Sequence, residues 1–246
     1  MKNYLVQFLA KVHSTDYGWT DRAQEGDLYS IYSEIQKVSY ASFRHFLQGD
    51  WEYRLFHVEV TNVLDVFKFK FEKLYELSHS EPCNILYCGL DAQMLKPTEM
   101  FGKFNCMSMF NYTDPRSNDL FEHNFNNDIV YYPAGFDEQW WNYTLEQSKN
   151  LKVWADEQNV YNHIFWNQRP GIQVQDMLAP ALAYQGFMIG DVRDQRIERN
   201  NQWNGIDINQ AHIVHWHSSR GAQNRLNLMT EVNKLSSVPS IDKTPQ

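Results

Sequence analysis

Apolar residues recur along this chain in two rhythms, one of strand period and one of helical period. Residues 4 to 12 (YLVQFLAKV) form a nearly continuous apolar run, which predicts a buried first strand. The polar, turn-rich HSTDYGWTDRAQEGD that follows predicts a loop. From Leu28 to Leu47 the apolar positions Leu28, Ile31, Ile35, Val38, Phe43, Phe46 and Leu47 fall at helical spacing. Residues 53 to 60 (YRLFHVEV) alternate as a strand does. Residues 63 to 77 (VLDVFKFKFEKLYEL) predict a helix, despite the alternation in FKFKF, and Glu81-Pro82 ends it. NILYCGL, from Asn84, is the next strand. Strand–helix–strand–helix–strand predicts an α/β sheet with helices packed on its faces.

The second half is less regular. Strands are predicted over residues 103 to 112 (KFNCMSMFNY), 127 to 136 (NDIVYYPAGF) and 212 to 217 (HIVHWH). Helices are predicted from Asp137 through DEQWWNYTLEQSKNL, over residues 156 to 168, and after the loop that starts at Ser218. Residues 169 to 211 resist parsing, apart from Asn204-Gly205, a hairpin signal. SSVPSIDKTPQ reads as a polar, loose tail over 236 to 246.

The length of 246 residues suits one large α/β domain over 1–235. The net charge of −8 and the lack of a basic cluster argue against a nucleic-acid polymer as partner. An anionic ligand would need focused positive charge or a metal ion. Cys83, Cys88 and Cys106 are odd in number, and C-x4-C is not a usual zinc spacing, so they read as reduced and buried. MKNYLVQFLAKVH is too short an apolar run for a signal peptide, and no run approaches the ~18 apolar residues of a membrane span. The expectation is a cytoplasmic protein with no transmembrane segment, in which the Asn-x-Thr triplets at Asn111 and Asn142 are coincidental.

Four clusters carry candidate chemistry. Asp91-Ala92-Gln93 sits where an apolar strand ends, the position at which α/β sheets bind ligands. Its two oxygen-bearing side chains could touch a divalent cation or a nucleotide; they could equally cap a strand. His212, His215 and His217 lie on one predicted strand, with His215 and His217 sharing a face. Such a pair can bind metal or simply hydrogen-bond near Trp216. Glu157-Gln158-Asn159 with Asn162 places Gln158 and Asn162 on one helix face, as a ligand contact or a solvated helix start. Ser218-Ser219-Arg220-Gly221 offers backbone amides and a guanidinium as a phosphate cradle, or is a polar loop. Tyr131, Tyr132, Trp140 and Trp141 could stack on a sugar or pack in the core.

Taken in order, ILYCGLDAQML, FNCMSMFN, EQNVYN and IVHWHSSRG resemble the retaining GT-A glycosyltransferases of the glycogenin and bacterial galactosyltransferase type, family eight. That family has a strand ending in Asp-x-Asp, a Phe-Asn-Ser/Ala-Gly strand, Asp-Gln-Asp followed by Asn, and a strand ending in His with Gly and Lys beyond it. The resemblance implies a GT-A fold with a mixed, mostly parallel sheet flanked by helices. Residues 1–95 would be its nucleotide-binding half and 96–235 its acceptor and donor-sugar half. It implies transfer of a hexose from a nucleotide-diphosphate sugar to a carbohydrate, protein or other acceptor hydroxyl, assisted by Mn²⁺ or Mg²⁺. By the same resemblance Asp91, His215 and, weakly, Gln93 would bind the metal. Asn105, Glu157 and Gln158 would act at the donor sugar and reacting carbon, with Asn162 beside the donor. Arg220 would face the diphosphate, and His13, Asp16 and Tyr17 would lie near base and ribose.

Two departures bear on this: Gln93 stands where the family has its second Asp, and Met107 where it has Gly. They keep open a non-catalytic nucleotide-sugar binder of the same fold. A zinc hydrolase built on His215, His217 and Asp91 is the other alternative.

Overall fold

The computed structural model describes residues 1–13, 27–102, 104, 107–111, 125–152, 155–166, 174–176, 189–191, 202–203, 206–207, 210–216 and 221–241. The elements are β1 (Lys2–Val12), α1 (Leu28–Phe46), β2 (Glu52–Val60), α2 (Val63–Ser80), β3 (Cys83–Cys88), β4 (Ala92–Met94), β5 (Met107–Asn111) and β6 (Phe125–Tyr132). There follow α3 (Glu138–Ser148), α4 (Ala155–Trp166), β7 (Val174–Asp176), β8 (Ile189–Asp191), β9 (Gln202–Trp203), β10 (Ile206–Asp207), β11 (Ile213–His215) and α5 (Ala222–Leu235). Each of the first three helices starts where a side chain caps it: Asp27 accepts from Ser30 N, Asn62 from Leu64 N, and Asp137 from Gln139 N.

Six strands form the main sheet in the order β2-β1-β3-β6-β5-β7. β1 runs parallel to β2 and β3, and β7 parallel to β5, while β6 is antiparallel to both its neighbours. The sheet is therefore mixed and mostly parallel, as the sequence predicted, with one reversed strand in its middle. A second sheet, β4-β11-β8, stands at the end of β3. The strands flanking Asn204-Gly205 pair antiparallel, as a hairpin there requires.

Alternation along β1 divides the core. Tyr4, Val6 and Phe8 pack with Phe71, Leu74, Trp140, Trp141 and Tyr161 of α2, α3 and α4. Leu5 faces the other way, toward Tyr40 and Phe43 of α1 and Met94 of β4. α1 also covers the small sheet from its opposite side, where Leu28 and Ile35 meet Val214, Trp216, Ala222 and Met229. α1 is thus a shared layer between the two sheets, and α5 packs beside it. Tyr131, Tyr132, Trp140 and Trp141 are all buried, so these rings belong to the core and form no sugar platform. The tail predicted to be loose is packed as far as it is described: Val238 is buried and Ile241 lies against the core, because these two positions are apolar within a polar stretch. No helix among the described residues is long and apolar enough to cross a membrane.

Candidate metal centre

Asp91 stands in the turn between β3 and β4, at the carboxyl end of the parallel strands. Past the last β3 residue, Gly89 N donates to Asp128 O at 2.6 Å, which carries the β3–β6 pairing one step further. This places Asp128 of β6 opposite Gly89. The glycine is needed for close approach rather than for an unusual backbone angle. A Cβ there would lie 3.0 Å from Asp91 Oδ1 and 3.2 Å from both Cβ and Oδ1 of Asp128. The turn is fixed from below by buried side chains. Gln7 Nε2 donates to Gly89 O at 3.3 Å, and Ser39 Oγ donates to Ala92 O at 2.5 Å. Trp216 N donates to Asp91 O at 2.9 Å from the neighbouring strand end.

His215 arrives on β11, in register with Ala92. Its Nε2 lies 3.1 Å from Asp128 Oδ2 and 3.5 Å from Asp91 Oδ1. The imidazole is buried, whereas the two carboxylate side chains keep 21% and 33% of their surface, so the group opens toward solvent on its acidic side. Asn126 lies against both partners: its Oδ1 accepts from Asp128 N at 2.7 Å, and its Nδ2 lies 3.5 Å from His215 Nδ1. One ligand atom each from Asp91, Asp128 and His215 lie within 4.8 Å of one another, close enough to share one ion. Two carboxylate oxygens and an imidazole suit Mn²⁺, and the oxygens suit Mg²⁺. Burial and the Asp128 charge push the neighbouring Cys88 thiol well up, so it adds no thiolate ligand.

A cation already stands behind Asp91. Arg225, on the buried face of α5, places Nη1 3.4 Å from Asp91 Oδ2 and 3.4 Å from the Tyr32 hydroxyl of α1.

Among the residues singled out from sequence, the structure brings Asp91 and His215 together. It corrects Gln93. That side chain is fully buried, its Nε2 donating to Met229 O at 2.8 Å and Asn233 Oδ1 at 2.6 Å, and its Oε1 accepting from Trp216 Nε1 at 2.8 Å. Gln93 is therefore an anchor for α5 and no metal ligand; Asp128 supplies the second carboxylate. The cause is local: Asp91 lies in a turn and β4 begins at Ala92, so strand alternation does not relate positions 91 and 93. Glu157 is buried in an ion pair with Lys70, whose ammonium also lies 4.5 Å from the Tyr87 ring centroid. Burial pulls the Lys70 pKa down, and the negative charge of Asp128 opposes the shift. Asn162 is buried and donates Nδ2 to Gln158 O at 3.0 Å, the pairing its spacing allows, while Gln158 is half-buried. His13 is exposed at the end of β1, paired with Glu59 at 2.7 Å. Asp16, Tyr17, Asn105, Cys106, His217 and Arg220 lie outside the described residues.

Asp128 and Arg225 were missed from sequence. The only signal for Asp128 was a carboxylate opening an apolar strand, which reads as a cap until β6 is known to run against β3.

Among solved structures, the chain is similar to a glycosyltransferase involved in the glycosylation of the major capsid of PBCV-1. The TM-score is 0.54, with 11% identity over 94% of this chain and 100% of that one. No family model and no curated protein matches the chain. At this identity the likeness shows the fold alone, a mixed, mostly parallel α/β sheet flanked by helices.

Proposed function

We propose that this protein is a glycosyltransferase that moves a hexose from a nucleotide-diphosphate sugar to an acceptor hydroxyl, with retention at the sugar carbon. The observation that carries the reading is the meeting of Asp91, Asp128 and His215 beyond the carboxyl end of β3, where open α/β sheets take their ligands. The donor set fits a divalent cation: two partly exposed carboxylates share one face with a buried imidazole, and Gly89 leaves the space they need. Asp91, Asp128 and His215 would hold Mn²⁺ or Mg²⁺, whose chemistry is to offset the negative charge that builds on a departing diphosphate. The bond from the sugar carbon to the diphosphate oxygen breaks, with its electron pair leaving on the diphosphate. The acceptor oxygen bonds to the same carbon and passes its proton to the departing diphosphate.

Other residues take roles around this centre by the family resemblance. Arg220 would add a second positive group at the diphosphate. Gln158 would present its amide oxygen to the positive charge that grows on the sugar ring. Asn105, Glu157 and Asn162 would bound the donor-sugar pocket, with Glu157 acting through its pair with Lys70. His13, Asp16 and Tyr17, at and after the end of β1, would meet base and ribose. With a net charge of −8 on the chain, local positive charge is what draws an anionic donor in.

The test is a panel of UDP- and GDP-hexoses with Mn²⁺ and mixed hydroxyl acceptors, read as nucleoside diphosphate released together with glycosylated acceptor. Asp128→Asn should lower turnover by about 10²–10³, the usual cost of losing one group that stabilises developing charge. Wild-type turnover in that variant would remove the site from the chemistry. Donor binding without transfer by the wild type would favour the non-catalytic binder. That alternative drew on Gln93 and Met107; Asp128 offers a second carboxylate beside Asp91, which supports the catalytic reading.

A further inference from the structure

Arg225 is placed at some energetic cost. It occupies the buried stripe of α5 with Ala222, Met229 and Asn233, and its side chain is 8% exposed. A buried guanidinium on a helix face requires a counter-charge, since desolvation of an ion costs several kcal/mol. The counter-charge is Asp91, and the contact divides the two oxygens of that carboxylate. Oδ2 lies 3.4 Å from Arg225 Nη1, while Oδ1 lies 3.5 Å from His215 Nε2. Arg225 is itself held from the other side. The same Nη1 lies 3.4 Å from the Tyr32 hydroxyl, and the guanidinium carbon stands 5.9 Å from the centre of that ring.

We infer that Arg225 is a positioning residue for the metal centre: by holding Asp91 Oδ2 it presents Oδ1, and only Oδ1, to the space shared with Asp128 and His215. The inference rests on reading that group as a cation site. A carboxylate in a turn can otherwise rotate about its two side-chain torsions or offer both oxygens at once. Arg225 removes that freedom with a planar, permanently charged group whose geometry a lysine cannot reproduce. It also ties the centre to α1 through Tyr32, so the ligand oxygen is fixed relative to two helices as well as to its own turn.

The test is binding of Mn²⁺ alone, without nucleotide or acceptor, followed by electron paramagnetic resonance of the free ion. Arg225→Met should weaken binding about 10- to 100-fold, the usual loss when the partner that orients a metal ligand is removed. Arg225→Lys should recover part of that affinity. Tyr32→Phe, which deletes only the hydroxyl that braces the guanidinium, should fall between wild type and Arg225→Met with an unchanged circular dichroism spectrum. It keeps the inference testable if Arg225→Met does not fold. A wild type that binds no Mn²⁺ would overturn the cation reading and this inference with it. A wild type that binds, with Arg225→Met or Tyr32→Phe binding equally or more tightly, would overturn this inference alone and leave Asp91, Asp128 and His215 as ligands.

Discussion

The Lys70–Glu157 pair allows a quantitative test of how α4 is held. Lys70 projects from α2 and Glu157 from α4, with side-chain exposures of 3% and 10%, so solvent screening weakens their attraction little. The ammonium lies 4.5 Å from the Tyr87 ring centroid and 5.5 Å from those of Phe71 and Tyr161. Lys70→Met keeps the stem in this aromatic cage and removes only the charge. Glu157 is then left ionised in a buried site, or must take up a proton to remain there. Breaking one side of a buried ion pair costs roughly 3–5 kcal/mol, and the lower part of that range applies here because burial already pulls the Lys70 pKa down to about 7. For a domain of this size each kcal/mol moves Tm by about 2–4 °C, so the loss should be on the order of 10 °C. Lys70→Met/Glu157→Met should recover most of it, because two methionines fill the volume and leave no orphan charge. The assay is thermal or urea unfolding of wild type, both single variants and the double. A double variant as unstable as the weaker single, or a Lys70→Met protein that melts with wild type, would refute the reasoning. The same set separates stability from chemistry: a recovered double variant that still fails to transfer sugar would show that the charges themselves serve the donor site.

Gln93→Asp restores the family's second carboxylate in sequence, yet it should lower Tm, since a buried carboxylate cannot donate to Met229 O and Asn233 Oδ1; it should leave Mn²⁺ affinity no better than wild type, as a metal titration would show. Gly89→Ala should weaken Mn²⁺ binding at least ~10-fold by pushing Asp91 and Asp128 aside, with the expected Cβ contacts of 3.0–3.2 Å. His79 bridges α2 to Glu138 of α3 at 2.6 Å, and this hydrogen bond raises its folded-state pKa above the ordinary 6.5. The raised pKa means its contribution to stability is full below pH 6.5 and is lost as pH rises through the folded-state value. His79→Gln should flatten the fall of Tm over that window.

Much of the first half was legible in the sequence because local pattern and global fold agree there. The run from Tyr4, the helical spacing from Leu28 and the break at Glu81-Pro82 gave the β-α-β-α-β order that the structure shows. Asp91 could be singled out because it ends the third strand. His215 could be singled out because it shares a strand face with His217 in a His-x-His pattern and fits the resembled family's strand ending in His. What could not be read was anything set by pairing between distant strands. Asp128 becomes a partner of Asp91 only because β6 runs antiparallel to β3 and brings its first residues to the end of that strand. Gln93 was misassigned for the complementary reason: a turn residue precedes β4, which resets the alternation and sends the amide into the core beneath α5. Arg225 sits at a helical position that looks amphipathic in sequence, and only the packing of α5 beside α1 turns it toward Asp91.

The most direct measurement is a crystal of the protein grown with Mn²⁺ and a nucleoside diphosphate, with anomalous data collected above the manganese edge. The expected result is a single strong peak bonded to Asp91, Asp128 and His215, with the diphosphate oxygens on its open side. A map with no peak between those three side chains, or with manganese and diphosphate bound elsewhere, would contradict the assignment of this centre.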